Sequence, residues 1–312
     1  VSRGETRMVP DAEFESYYGR QILKTPTWKT PDVPLYLFLG GLGGASAVLA
    51  EGAALSNRPR LEAVTRGAAA AAAGLGTVFL IHDLGRPERF LNMLRVFKPT
   101  SPLSVGSFIL APFATFSTGA FALQVLGRLP RLARLCGVGA AAFGPPLATY
   151  TAALFANTAI PAWAEARREL PFVFGGSGAA AGGGLAMVLA PVEESGPALR
   201  LALAGAALEL AATEAIVRRH GLVAEPYEIG KPGALMKTSR ALTVAGAALS
   251  LLGRRSRLAR AAAGASYVAG SVVLRFGIFE AGLASARDPK YVVVPQKERL
   301  AQRQEASAKI EG

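Results

Sequence analysis

Eight apolar stretches alternate with polar connectors along the chain, over approximately 34–56, 64–82, 104–126, 135–156, 172–190, 198–218, 239–252 and 261–284. Most hold about 20 residues with few charges, the length at which a helix crosses a hydrocarbon core of roughly 30 Å. The pattern predicts an all-α integral membrane domain of about eight transmembrane helices over 34–284, flanked by an extramembrane N-terminal segment, 1–33, and an extramembrane C-terminal tail, 285–312. The seventh stretch is short, because four arginines crowd the segment from Gly253 to Arg260. Either it extends at both ends, with Lys237 and Arg254 snorkelling to the interfaces, or it re-enters and the chain has seven spans.

An even number of spans puts the N- and C-termini on one side, face A. Face A also receives the connectors 83–103, 157–171 and 219–238, which are long and carry both charge signs. Face B receives short connectors, three of them almost purely basic: Arg58 and Arg60; Arg128, Arg131 and Arg134; Arg254, Arg255, Arg257 and Arg260. Short arginine-rich loops face the cytoplasm, so face B is expected inside and face A outside.

Composition agrees with a multi-pass protein of the cell (inner or plasma) membrane. Hydrophobic residues make up 51% and charged residues 18%, and the mean hydropathy is +0.32. The 35 glycines suit close helix approach in lipid. The net charge of +12 falls in connectors and not on a basic face of a soluble module, which argues against a nucleic-acid partner. Val1 to Pro31 is polar and shows no apolar core of a cleavable signal, so the first span is expected to direct insertion. The single cysteine, Cys136, is too few for an iron–sulfur cluster held by this chain. The two histidines, His82 and His220, do not suit a bis-His haem, because His220 sits in a connector. Any metal centres that exchange electrons here are expected in a partner.

The clearest chemistry lies at the end of the second span, His82-Asp83-Leu84-Gly85-Arg86-Pro87-Glu88-Arg89-Phe90. His is the side chain best suited to pass a proton near neutral pH, and Asp83 can orient it or take the proton onward. Arg86 and Arg89 can balance Asp83. A capped helix end with interfacial charges is the plainer reading. Tyr36 opens the first span at face A, and Asn157 closes the fourth at the same face, with Tyr150 about two turns deeper. A quinone head group offers two carbonyl acceptors and takes up two protons on reduction. Tyr36, His82, Asp83 and Asn157, backed by Phe38 and Phe108, would suit it.

Ionisable residues within spans are costly in lipid and functional candidates: Glu51 in the first, Glu209 and Glu214 in the sixth, Arg275 and Glu280 in the eighth. An Arg275–glutamate pair is the structural reading and a proton path the functional one. The run Gly40-Gly41-Leu42-Gly43-Gly44 reads as tight helix packing and not as a phosphate loop, since it lacks the Lys-Ser/Thr ending.

Four segments together resemble the NrfD family, which includes the membrane subunit of polysulfide reductase and related subunits of alternative complex III. They are His82 to Phe90; Phe97-Lys98-Pro99-Thr100-Ser101-Pro102-Leu103-Ser104-Val105-Gly106-Ser107; Asn157-Thr158-Ala159-Ile160-Pro161-Ala162-Trp163; and Ala281-Gly282-Leu283-Ala284-Ser285-Ala286-Arg287-Asp288-Pro289. The resemblance runs from about Val33 to Pro289. It implies eight helices in two four-helix bundles, no haem, and quinone (menaquinone) binding near the face that meets a ferredoxin-like iron–sulfur subunit. It also implies a molybdopterin catalytic subunit in the complex, so that this chain is not catalytic alone. By the resemblance His82, Asp83 and Arg86 fall on the family's polar span end, with Tyr36 and Asn157 nearby. Two other readings are a secondary transporter, with Glu209, Glu214 and Arg275 lining a substrate path, and a purely structural membrane anchor.

Overall fold

The computed structural model describes residues 22–84, 86–252 and 256–311, and of these all side chains but Arg89 and 305–311. Residues 1–21, Gly85 and the arginines 254 and 255 of the most basic connector lie outside the described residues. The helices are α1 (Asp32–Leu55), α2 (Pro59–Asp83), α3 (Pro102–Val125), α4 (Pro130–Ala156), a short α5 (Pro161–Glu165), α6 (Leu170–Leu189), α7 (Gly196–His220), α8 (Gly230–Leu252), α9 (Arg257–Arg287) and α10 (Lys290–Glu311). There is no strand among the described residues.

Proline sets most of the starts. It stands in the first two positions of α2 through α7, where its missing N–H has no intrahelical partner to lose and its φ is already helical. Two hairpin turns at face B use left-handed residues, Asn57 at φ 58° and the pair Gly127 and Leu129 at φ 62° and 49°. Five helices, α1, α2, α3, α6 and α9, are long and apolar enough to cross a membrane, which marks a multi-pass membrane protein. The weak seventh stretch belongs to a longer helix than its apolar run indicates, since α8 begins at Gly230. Its charges are held by neighbours: Lys231 Nζ lies 2.8 Å from Glu280 of α9, and Arg240 Nη1 3.1 Å from Glu214 of α7.

The long helices form two rings of four. In the first, α1 packs on α2 and α4, and α3 closes the ring against both; in the second, α6 packs on α7 and α9, and α8 closes it. The rings meet along α1, α4, α6 and α9. Glycine makes the closest approaches. A Cβ added at Gly44 would fall 2.3 Å from the Gly144 carbonyl oxygen, and one at Gly264 would fall 2.3 Å from that of Gly184. The run in α1 is thus helix packing, as its sequence suggests.

Contacts between helix ends fix which loops share a face. At face B the Arg60 and Leu61 amides donate to Glu194 (2.9 and 3.0 Å), and Arg257 donates to the Met187 and Ala190 carbonyls. At face A, Lys29 bonds the end of α2, Glu169 meets the end of α7, and α10 reaches back through Tyr291 to Glu225 (3.1 Å) and through Arg299 to Glu165. Burial between the rings there is aromatic: Trp163 stacks on Phe155 at 4.2 Å and on Trp28 at 5.6 Å.

Candidate functional site

At the face-A end of the first ring lies a cavity of about 260 Å³. Its polar wall is Asp32 and Tyr36 of α1 and Asp83 of α2; Trp28, Phe79, Leu80, Leu103 and Leu154 contribute apolar surface. Asp32 is almost fully buried, and the His82 Nδ1–H donates to its Oδ2 at 2.7 Å. His82 itself stands outside the wall with its side chain 71% exposed, against 6% for Asp32. The pair therefore joins solvent at face A to the inside of the cavity. Asp32 has no other side-chain partner among the described residues, so its second oxygen is open to a ligand or water.

Lys29 fastens this corner. Its backbone N–H donates to Asp83 Oδ1 at 2.8 Å, and its Nζ donates to the His82 carbonyl at 2.7 Å. Deeper in, the Tyr36 and Tyr150 hydroxyls lie 2.6 Å apart, both buried. Two hydroxyls carry two hydrogens and this contact uses one, so a donor remains for a third group. A carboxylate pair, a proton-passing imidazole and a phenol around an apolar chamber can bind a flat carbonyl compound and exchange protons with it.

Of the residues singled out from sequence, Tyr36 and Asp83 are on the wall and His82 is one hydrogen bond from it. Arg86 is exposed at the start of the Pro87–Leu94 3-10 helix and has no ion pair among the described residues. Asn157 caps α4 through its backbone N–H to Ala153, and its exposed side chain does not reach the wall, where α4 supplies Leu154. Phe108 packs edge-on against Phe97 and Phe38 joins a cluster with Leu42, Ala72 and Ala181, so neither backs the cavity. Sequence reasoning passed over Asp32 and Trp28. An acidic residue opening a helix two positions before a proline, opposite a span ending in His, is the signal available for Asp32.

The ionisable residues inside spans do not form one chain. Glu51 is tied to Arg66 at 3.1 Å, with Arg134 at 3.6 Å, near face B. Near face A, Glu214 is paired with Arg218 and Arg240, and Glu280 with Lys231. Glu209 and Arg275 are buried in the second ring; Thr243 donates to Glu209 Oε1 at 2.9 Å, while Arg275 donates to the Phe174 carbonyl and lies 3.9 Å over its ring. Glu209 Oε2 and Arg275 Nε and Nη1 have no hydrogen-bond partner among the described residues. Glu209 lines a cavity of about 120 Å³ that also touches Glu228, Lys237 and Arg240.

The second ring carries its own His–carboxylate contact at face A. His220 Nε2 lies 3.2 Å and Arg219 Nη1 3.1 Å from the two Glu169 oxygens. Burial pushes the Glu169 carboxyl up, and the hydrogen bonds from His220 and Arg219 more than reverse this, leaving it below its ordinary value.

No curated protein matches the chain. The model of one family, described as polysulphide reductase, NrfD, matches residues 24–195, from Trp28 and α1 through α6. That is more than half of the chain and covers every residue of the first-ring cavity, so the protein belongs to the NrfD family of membrane subunits of oxidoreductase complexes.

Proposed function

We propose that the chain is the quinone-reactive subunit of a molybdopterin-type oxidoreductase complex. It exchanges electrons between a ferredoxin-like iron–sulfur subunit docked on face A and the quinone pool, menaquinone by the family resemblance. The observation that carries this reading is the buried Asp32 in the cavity wall, bonded to an exposed His82. When bound, a quinone supplies reversible two-electron, two-proton chemistry. Its ring fits a chamber with Trp28 and Phe79 for apolar contact, and its carbonyl oxygens need donors. The free hydroxyl hydrogen of the Tyr36–Tyr150 pair is one. His82 takes a proton from water and passes it to Asp32, and Asp83, held by Lys29, fixes the end of α2 beside it.

The eight helices of the two rings are read as eight spans. At 1.5 Å per residue they are about 30–46 Å long, enough for the hydrocarbon core. Face B, with its short arginine turns, is placed in the cytoplasm. In a Cys136→Ser background, single cysteines at Ser256 and Gln302 should label from opposite sides of the membrane. Labelling from the same side removes the eight-span topology.

The deciding experiment is quinone-linked turnover of the intact complex with quinone extraction. Asp32→Asn and Asp83→Asn should assemble and lose turnover by roughly 10²–10⁴-fold, the usual loss for a positioned proton donor or acceptor. Turnover at the wild-type rate in both variants would discard the site. One observation favours an added proton path: among the described residues, Glu209 and Arg275 keep unpaired buried atoms inside the second ring. Glu209→Gln should then leave quinone turnover largely intact in detergent while lowering proton release per electron in vesicles.

A further inference from the structure

At the opposite end of the first ring, a groove of about 760 Å³ opens between the start of α2, the end of α3 and the start of α4. Its wall includes Arg66, Arg128, Arg131 and Arg134. Arg66 is committed to Glu51 and Glu62 at 3.1 and 2.9 Å, and Arg134 leans on Glu51. Four arginines against these two carboxylates leave two positive charges. They reside on Arg128 and Arg131, which are exposed and whose side chains have no hydrogen bond or ion pair among the described residues. Two wall residues also carry buried polar atoms without a partner among the described residues, the donor Arg66 Nε and the acceptor Gln124 Oε1. The groove runs on into an apolar one of about 440 Å³ lined by Leu129, Pro130, Arg131, Leu132 and Leu135; the two share Pro130, Arg131 and Leu135.

Charge, hydrogen-bonding capacity and apolar surface thus follow one another along a single path. A free anion would use the arginines and leave the leucine groove bare. A zwitterionic lipid brings a cation that competes with the arginines. A basic pocket between helices at the membrane surface suits an anionic head group, and long apolar side chains beside it suit an acyl chain. We propose that this groove is a specific site for an anionic glycerophospholipid with a hydroxylated head group. Its phosphodiester lies on Arg128 and Arg131, its head-group hydroxyls face Gln124, and one acyl chain follows Leu129, Leu132 and Leu135.

The test is native mass spectrometry of the full chain in detergent, titrated with phosphatidylglycerol or phosphatidylcholine. One phosphatidylglycerol should be retained at an about tenfold lower concentration than phosphatidylcholine, the preference two interfacial arginines can supply. Arg128→Ala/Arg131→Ala should erase the preference and Arg128→Lys/Arg131→Lys should restore part of it. Arg200→Ala, at the same face on α7, should leave it unchanged. Equal retention of both lipids, an unaltered preference in the double alanine variant, or an equal loss in Arg200→Ala overturns the proposal. Displacement of the lipid by millimolar inorganic phosphate also overturns it, and leaves an anion site. If the double alanine variant does not fold, the lipid preference and phosphate competition of the wild-type chain decide.

Discussion

Each ring ends at face A in a histidine against a buried carboxylate, and the two pairs are built for different work. His82 meets Asp32 at 2.7 Å and His220 meets Glu169 at 3.2 Å. Glu169 also has Arg219, so its charge is matched whatever the protonation of the imidazole. Among the described residues Asp32 has only His82 as a side-chain partner, so within that set its charge is matched only when the imidazole carries a proton. His220 is largely covered, at 19% side-chain exposure, while His82 is open to solvent at 71%. A cavity adjoins the first carboxylate. The same two functional groups form a covered, doubly paired tie in one ring and a solvent-linked pair beside a cavity in the other, and the difference lies in the extra cation and the space beside them.

The largest expected effect separates the pairs by turnover. In the intact complex, His82→Ala should slow quinone-linked electron transfer by roughly 10²–10⁴-fold, as for loss of a positioned acid–base group. His220→Ala should leave it close to wild type. Equal losses in both would show that the two pairs do the same work. A smaller effect tests what holds the first site open. Gly44→Val puts bulk against the Gly144 carbonyl, and overpacking of this kind costs about 1–3 kcal/mol. It should lower the melting temperature and part α1 from α4, the helices that carry Tyr36 and Tyr150. Gly264→Val should cost similar stability through the Gly184 contact yet spare the activity of whatever complex remains folded.

The smallest effect concerns Glu169. Its carboxyl titrates below its ordinary value in the folded protein, so it contributes stability above the unfolded carboxylate range and loses it as the pH falls through the folded value. Glu169→Gln should therefore melt slightly lower than wild type near neutrality. The gap should close on acidification below the carboxylate range. A gap that persists unchanged in acid would assign the loss to packing and not to charge.

How much of this could be read from sequence depends on where the charges sit. The helices α1, α2, α3, α6 and α9 follow their apolar stretches because their charged residues, apart from Arg275 in α9, lie toward the ends. The first half of α8 is hidden because Lys231, Lys237 and Arg240 interrupt its apolar run, and the partners of Lys231 on α9 and Arg240 on α7 are visible only in three dimensions. The tail after residue 285 reads only as extramembrane, with no element assigned to it; it is helical over Lys290–Glu311 and tied back at Lys290, which Glu225 holds above its ordinary pKa. At the site, His82, Asp83 and Tyr36 stand out because ionisable and phenolic groups are rare at span ends. Asp32 does not, because it merges with the polar segment before it. Asn157 is of a suitable residue type, but as a cap its side chain ends up outside the chamber.

The strap formed by Lys29 also has a consequence for the order in which the protein is made. Asp32, Tyr36, His82 and Asp83 all belong to the first two helices, and Lys29, which fastens the end of the second, stands just before the first. Synthesis proceeds from the N-terminus, and early segments can fold before later ones emerge. The polar wall can therefore close as soon as one hairpin has entered the membrane, while Leu103 and Leu154 arrive later to seal it. The second ring has no such head start: Glu209 waits for Thr243, and the cover over Phe174 waits for Arg275, almost the last helix to be inserted. A ribosome-arrested chain ending shortly after α2 has emerged should already protect a cysteine placed at Tyr36 from a water-soluble reagent at face A, and Lys29→Ala should remove that early protection.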